Sequence, residues 1–162
     1  MRRWMGKIGL WCLGWEAAGE VPADGRAVLV GHPHTSTWDF PIAVLGTWAL
    51  GLDMRFIGKA SLFSGPFGWL FRALGGMPVD RSRTSNLVSE IAGRFANGGP
   101  LILALAPSGT RQAGAHWRSG FYHIARTAQV PVALGFIDFG RRRVGLAGLL
   151  NLSGDIRRDM DF

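Results

Sequence analysis

The sequence predicts a single α/β domain, a mainly parallel sheet flanked by helices, over 21–162, with an amphipathic helix over 1–20 in front of it. Three observations predict this. Short apolar runs, 27–31 (AVLVG), 54–58 (MRFIG) and 101–106 (LILALA), have the length of buried strands. Longer segments of helical length separate them, and strand–helix alternation builds a parallel sheet covered on both faces. No internal repeat, low-complexity tract or linker interrupts the chain, and 162 residues suit one domain.

The elements follow in order. The strand 27–31 runs into the loop GHPHTSTWD, and 40–51 then reads as an apolar helix with Pro41 in its first turn, where a missing N–H costs nothing. After the strand 54–58, the aromatic stretch 61–74 is expected to be helical in part, and 75–81 to form a short strand and loop. Thr84 or Ser85 caps a helix through about residue 96, with Asn97-Gly98-Gly99 as its stop. The strand 101–106 ends in the loop 107–111. A helix over 117–128, strands over 130–139 and 144–150, and the start of a helix over 155–161 complete the chain. In such sheets ligands sit beyond the carboxyl ends of strands, which directs attention to the loops after 31, 79 and 106.

At the N-terminus, Trp4, Ile8, Trp11 and Trp15 recur at spacings of 4, 3 and 4, one face of a helix, with Arg2, Arg3 and Lys7 beside them. Tryptophan favours the bilayer interface, so the expectation is a helix lying in the membrane plane; packing on the domain's own core is the other arrangement open to it. Basic residues and an apolar middle also mark signal peptides, but Lys7 and several Gly and Trp break that middle and no convincing cleavage site follows. No apolar run reaches about 18 residues, so no spanning helix is expected.

The single cysteine, Cys12, excludes an internal disulfide and a cysteine-based zinc site, and its apolar neighbours predict a small buried hydrophobe. The net charge is +7, with 16 of 18 basic residues arginine, which favours an anionic partner. Nucleic acid fits poorly, because the basic residues form no run and the aromatics do not interleave with them. An anionic membrane and a phosphate-bearing ligand account for the charge instead. His32 and His34 lack a third ligand at metal-binding spacing, and no P-loop or dinucleotide fingerprint occurs, so no metal or cofactor is expected.

The chemistry centres on His34 and Asp39. A carboxylate five residues after a histidine, across a loop entering a helix, can reach the imidazole, fix its tautomer and stabilise the imidazolium, leaving the other ring nitrogen to take a proton from an alcohol. The same spacing also suits an aspartate cap beside a solvent-facing histidine. His32 reads as a loop hydrogen-bonding residue, and His116 and His123 as structural or exposed. Arg81 and Arg111 present the forked donors that phosphate oxygens accept, and Lys59 can add a point charge. Ser108 lies in Ala-Pro-Ser-Gly-Thr, not in a G-x-S-x-G elbow, and is not read as a nucleophile.

The ordered set GHPHTSTWDF, GKASLF (58–63), GGMPVDR (75–81), APSGTR (106–111) and VPVA (130–133) resembles the glycerolipid acyltransferase family, whose best-known members acylate lysophosphatidic acid. The resemblance covers about residues 27–135. It implies that His34 and Asp39 are the H-x4-D catalytic pair, that Gly76 and Arg81 belong to the second block, whose arginine binds the acceptor phosphate, and that Gly109, Thr110 and Arg111 form the third. Val130 and Pro131 match the fourth, linked to the acyl side. The fold implied is glycerol-3-phosphate acyltransferase-like. The implied donor is acyl-CoA or acyl-carrier protein, and the implied acceptor a lysophospholipid hydroxyl in phospholipid biosynthesis. Segment 61–74 and the N-terminal helix are expected to border the acyl path.

Ser108 departs from the pattern, which has glutamate there. A different acceptor, weakened activity, or an introduced change would each account for it, and it motivates the alternative of a weakened lipid- or membrane-binding protein on the same fold. The chain resembles a minimal core without membrane-spanning additions and stops inside an apparent helix, as a truncation would. The expected location is cytoplasmic, peripheral on the inner face of the cell membrane.

Overall fold

The computed structural model describes residues 1–31, 38–79, 84–96, 99–106 and 119–159. The strands β1 (Glu16–Ala18), β2 (Arg26–Gly31), β3 (Met54–Lys59), β4 (Gly76–Val79), β5 (Leu101–Leu105), β6 (Val132–Asp138) and β7 (Arg143–Leu150) form a seven-stranded sheet in the order β1-β7-β6-β2-β5-β3-β4. Every pairing among them is parallel except the β6–β7 hairpin. The helices are α1 (Arg2–Leu13), α2 (Asp39–Leu50), α3 (Ala60–Ser64), α4 (Gly68–Ala73), α5 (Thr84–Ala96), α6 (Gly120–Ala128) and α7 (Ile156–Asp159). The mainly parallel α/β sheet flanked by helices is the expected class. Segment 61–74 resolves into two short helices, and the β1 strand was not foreseen.

Strand alternation separates two cores. Val28 and Val30 on β2, Leu103 on β5 and Val132 on β6 point to one face, where they pack with Ile91 and Phe95 of α5 and Phe121 and Ile124 of α6. Ala27, Leu29, Ile102 and Ala133 point to the other, where Val44 of α2 packs with Phe40 and Trp48 at its margin. Both faces are covered, so the strands carry apolar residues at successive positions instead of alternating with polar ones. The edge strand β4 holds Pro78, where a missing N–H breaks no ladder.

Helix α1 lies chiefly on α2, with Leu10 also reaching the cluster around Val144 of β7. Gly6 and Leu10 are its buried residues, and a Cβ at Gly6 would collide with the Ala49 and Leu45 backbone, so glycine lets the two helices approach closely. Arg2 anchors the helix start through Asp53 at 3.2 Å and the Ala73 carbonyl at 3.3 Å. The helix ends at Leu13, with Gly14 in the left-handed region at φ 70°. Trp15 therefore lies outside the helix and turns its ring edge-on to Phe139, with centroids 5.2 Å apart. The expected four-residue face is thus three residues long: Trp4, Ile8 and Trp11 are 70%, 58% and 80% exposed. They project away from α2, so the apolar stripe is not the packing surface. Cys12 is likewise exposed, contrary to the expected burial, because α1 touches the domain only through its opposite side.

At the far end, α7 folds back on α6. The Asp159 carboxylate, 7% exposed, accepts hydrogen bonds from the Tyr122 hydroxyl (3.0 Å), the Ser153 hydroxyl (2.7 Å) and the Ser153 and Gly154 amides. The Ser153 hydroxyl bond, foremost, holds the Asp159 pKa below the ordinary carboxylate value against the opposing effect of burial. Burial, reinforced by Asp159, pushes the Tyr122 phenol up.

Candidate active site

The carboxyl ends of β2, β5, β3 and β4, neighbours in the sheet, share one edge of the molecule. Gly31 ends β2, Leu105 ends β5, Lys59 ends β3, and Val79, the register partner of Lys59, ends β4. Asp39 opens α2 beside Gly31's end of the sheet and is 2% exposed, the most deeply buried carboxylate among the described residues. Burying a polar side chain is costly, so a carboxyl group at this depth stands out in an apolar setting.

Of the residues singled out in the sequence, Asp39 and Lys59 are described at this edge; Lys59 is exposed. His32, His34, Arg81, Ser108, Gly109, Thr110, Arg111 and His116 lie outside the described residues. Their flanks are described: Gly31 and Trp38 bracket 32–37, Val79 precedes 80, and Ala106 precedes 107. Gly76 is not at this edge. It opens β4 at the opposite end, paired with Phe56, and a Cβ there would press on Phe56, Phe63 and the Phe71 carbonyl, so packing alone calls for glycine. Val130 and Pro131 also stand at the opposite edge, before β6, where the Pro131 carbonyl accepts the Val28 N–H at 3.0 Å. His123 is exposed on α6.

An apolar cavity of about 230 Å³ lies between α2 and the sheet. Its lining runs along α2 from Phe40, next to Asp39, with Gly31 and Ala106 at the carboxyl edge of the sheet, past Ala43, Ala104 and Gly135 to Thr47, Leu50 and Met54. Neighbouring strands leave it empty by using small residues in register: Leu29 pairs with Ala104 and Ala133, and Gly31 with Gly135. The polar side chain in this lining, Thr47, spends its hydroxyl on the Ala43 and Val44 carbonyls at 2.9 and 3.0 Å. No described residue of α1 or of 61–74 lines it: α2 and five strands enclose this cavity, because α1 packs outside α2 and α3 packs at β3 and β4. The sequence signal for the cavity was the small residues at every second position of neighbouring strands, which has meaning only once the register is known.

No curated protein and no solved structure matches the chain. The family model described as Acyltransferase matches residues 16–133, which span β1 through the start of β6 and include the whole edge around Asp39. With most of the sheet and the buried carboxylate at its carboxyl edge inside that match, the chain belongs to the acyltransferase family.

Proposed function

We propose that this acyltransferase moves a fatty acyl group from acyl-CoA or acyl-carrier protein to the hydroxyl of lysophosphatidic acid or a related lysophospholipid, serving phospholipid biosynthesis. The observation that carries the reading is the buried carboxylate of Asp39, next in sequence to Phe40 of an apolar cavity's lining and five residues after His34. In this reading Asp39 orients His34, and His34 takes the proton of the acceptor hydroxyl. The oxygen attacks the thioester carbonyl, the C–S bond breaks, and the leaving thiolate recovers the proton from the imidazolium as the ester forms. Backbone amides near Gly109 and Thr110 stabilise the oxyanion, while Arg81, Arg111 and Lys59 hold the acceptor phosphate. No metal or redox cofactor enters this scheme.

The proposed setting is an anionic membrane surface, with the protein cytoplasmic and peripheral on the inner face of the cell membrane. The outward face of α1 supports it. Trp4, Ile8 and Trp11 are exposed together, Arg3 and Lys7 flank them, and the helix has no acidic residue. Among the described residues no helix is long and apolar enough to cross a membrane, so attachment through this face is interfacial.

The test is thiol release from acyl-CoA and acyl-carrier protein over a panel of lysophospholipids, with His34→Ala and Ser108→Glu in parallel. Turnover that disappears in His34→Ala supports the mechanism; full activity of that variant sinks it. Ser108 favours a second reading, a lipid-binding protein of weakened activity on the same fold, and activity confined to Ser108→Glu would select it.

A further inference from the structure

We infer that the groove between α1, β1 and α2 is a binding site for one anionic phospholipid, whose phosphate sits on Arg3 and Lys7 and whose glycerol and first acyl carbons lie on Leu10, Ala17, Val21 and Ala49. The groove has a volume of about 400 Å³, within the roughly 300–1,000 Å³ of small-ligand sites. It shares only Leu50 with the cavity under α2. Drawing the lipid from a bilayer rests on the interfacial reading of α1; the groove's shape and charge do not.

Its lining divides by chemistry. Leu10 and Ala49 are 2% and 5% exposed, and Ala17 and Leu50 are half-buried, which together make an apolar surface. Arg3 and Lys7 are exposed. They stand four residues apart on a line along α1 between Gly6, which faces α2, and the outward Trp4 and Trp11. Both are positioned by neighbours. The Arg3 stem passes Gly51 at the end of α2, where an added Cβ would come 3.6 Å from its Cδ. The Lys7 ammonium stands 5.9 Å from the centre of the Trp4 ring. Neither cation forms an ion pair among the described residues, and α1 has no acidic residue. Like charges four apart on a helix repel, and Arg3 also meets the positive end of its own helix. An anion seated between the two removes both penalties. Glu16 is the opposing charge in the lining, but its carboxylate is turned to Arg143 at 3.4 Å. A helix lying in an interface holds its outward face among the acyl chains and its flanks at the head groups. That is the depth at which a lipid phosphate meets Arg3 and Lys7.

The experiment titrates dihexanoyl phosphatidylglycerol below its micelle threshold by calorimetry, with dihexanoyl phosphatidylcholine and inorganic phosphate as the comparison ligands. Co-sedimentation with phosphatidylglycerol vesicles runs alongside, and each variant is first checked for cooperative thermal unfolding. The wild type should bind the phosphatidylglycerol saturably, one lipid per chain, and more tightly than either comparison ligand. Arg3→Gln combined with Lys7→Gln should weaken it at least roughly ten-fold, the effect of a lost charge-assisted hydrogen bond. Ala17→Leu keeps every charge but fills the groove and should weaken it comparably, whereas Glu16→Gln should tighten it. Ile8→Ser combined with Trp11→Ser leaves Trp4 beside Lys7, and should keep the short-chain lipid while losing the vesicles. No binding of the phosphatidylglycerol, equal affinity for phosphatidylcholine or phosphate, or an Ala17→Leu protein that binds as the wild type does overturns the site. Vesicles that still sediment in those cases leave the interfacial reading of α1 standing without the groove. Short-chain binding that responds as stated, with no sedimentation of the wild type, keeps the groove and removes the interfacial reading.

Discussion

The Tyr122 hydroxyl donates a hydrogen bond of 3.0 Å to the Asp159 carboxylate, joining two residues 37 positions apart and clasping the chain's last described helix to α6. Four other contacts from Ser153 and Gly154 complete the carboxylate's shell, so this corner behaves as one unit.

Its pH dependence has a defined sign. The folded pKa of Asp159 lies below its ordinary value, so its contribution to stability is present above the ordinary carboxylate range and is lost as pH falls through the folded pKa. The Tyr122 pKa is raised, so its contribution is present below the ordinary phenol value and is lost as pH rises through the folded pKa. Thermal unfolding against pH should show Asp159→Asn with a shallower acid limb and Tyr122→Phe with a shallower alkaline limb, both with lowered Tm at neutral pH. Limbs that superimpose on the wild type would show that other groups govern both slopes.

His34→Ala should lower the rate of thioester turnover by roughly 10²–10⁴-fold, the scale of a lost general base. Asp39→Asn keeps the shape of the side chain but removes the charge that favours the imidazolium, and should lower kcat with little change in KM for the acceptor. Steady-state kinetics separates the two constants. An Asp39→Asn enzyme that loses only acceptor affinity places Asp39 with the substrate contacts instead.

Trp4, Ile8 and Trp11 face away from the domain, so their joint replacement by serine should leave thermal stability within about 0.5 kcal/mol, as for ordinary surface changes. Co-sedimentation with phosphatidylglycerol vesicles should fall at least ten-fold. Wild-type binding should weaken with salt, through Arg3 and Lys7. Equal sedimentation of the two proteins would remove α1 from the membrane contact.

Gly6→Val tests how α1 is held. A Cβ at Gly6 meets the backbone of Ala49 and Leu45, which has no flexible side chain to yield. Overpacking of this kind costs about 1–3 kcal/mol, and urea unfolding should register it. If Gly6→Val unfolds as the wild type does, α1 and α2 do not keep this close approach in solution.

The elements themselves were legible because their signals are local. The apolar runs at 27–31, 54–58 and 101–106 became β2, β3 and β5, and α5 ends at Ala96 as the expected helix through about residue 96 does. The carboxylate at position 39 was also legible, since a loop entering a helix places its first residue beyond a strand's carboxyl end. The face of α1 was half legible: the period placed Trp4, Ile8 and Trp11 together, but Trp15 was lost to the turn at Gly14. Burial of Cys12 was misread because apolar neighbours do not reveal which side of a helix finds a partner.

By itself the sequence determined the α/β class, the order of most strands and helices after residue 26, the ordered blocks that place the chain among acyltransferases, and His34 with Asp39 as the candidate chemistry. These depend on the period of side chains along a few turns or strand residues, and that period is written in consecutive positions. Only the tertiary structure decided the cavity, the outward turn of α1 and the Tyr122–Asp159 clasp. Each of these needs two distant segments in a particular register: Gly31 beside Gly135, Gly6 against Ala49, α7 against α6. Register and facing are set by which surfaces lose water together, a property of the whole packed chain that no local stretch contains.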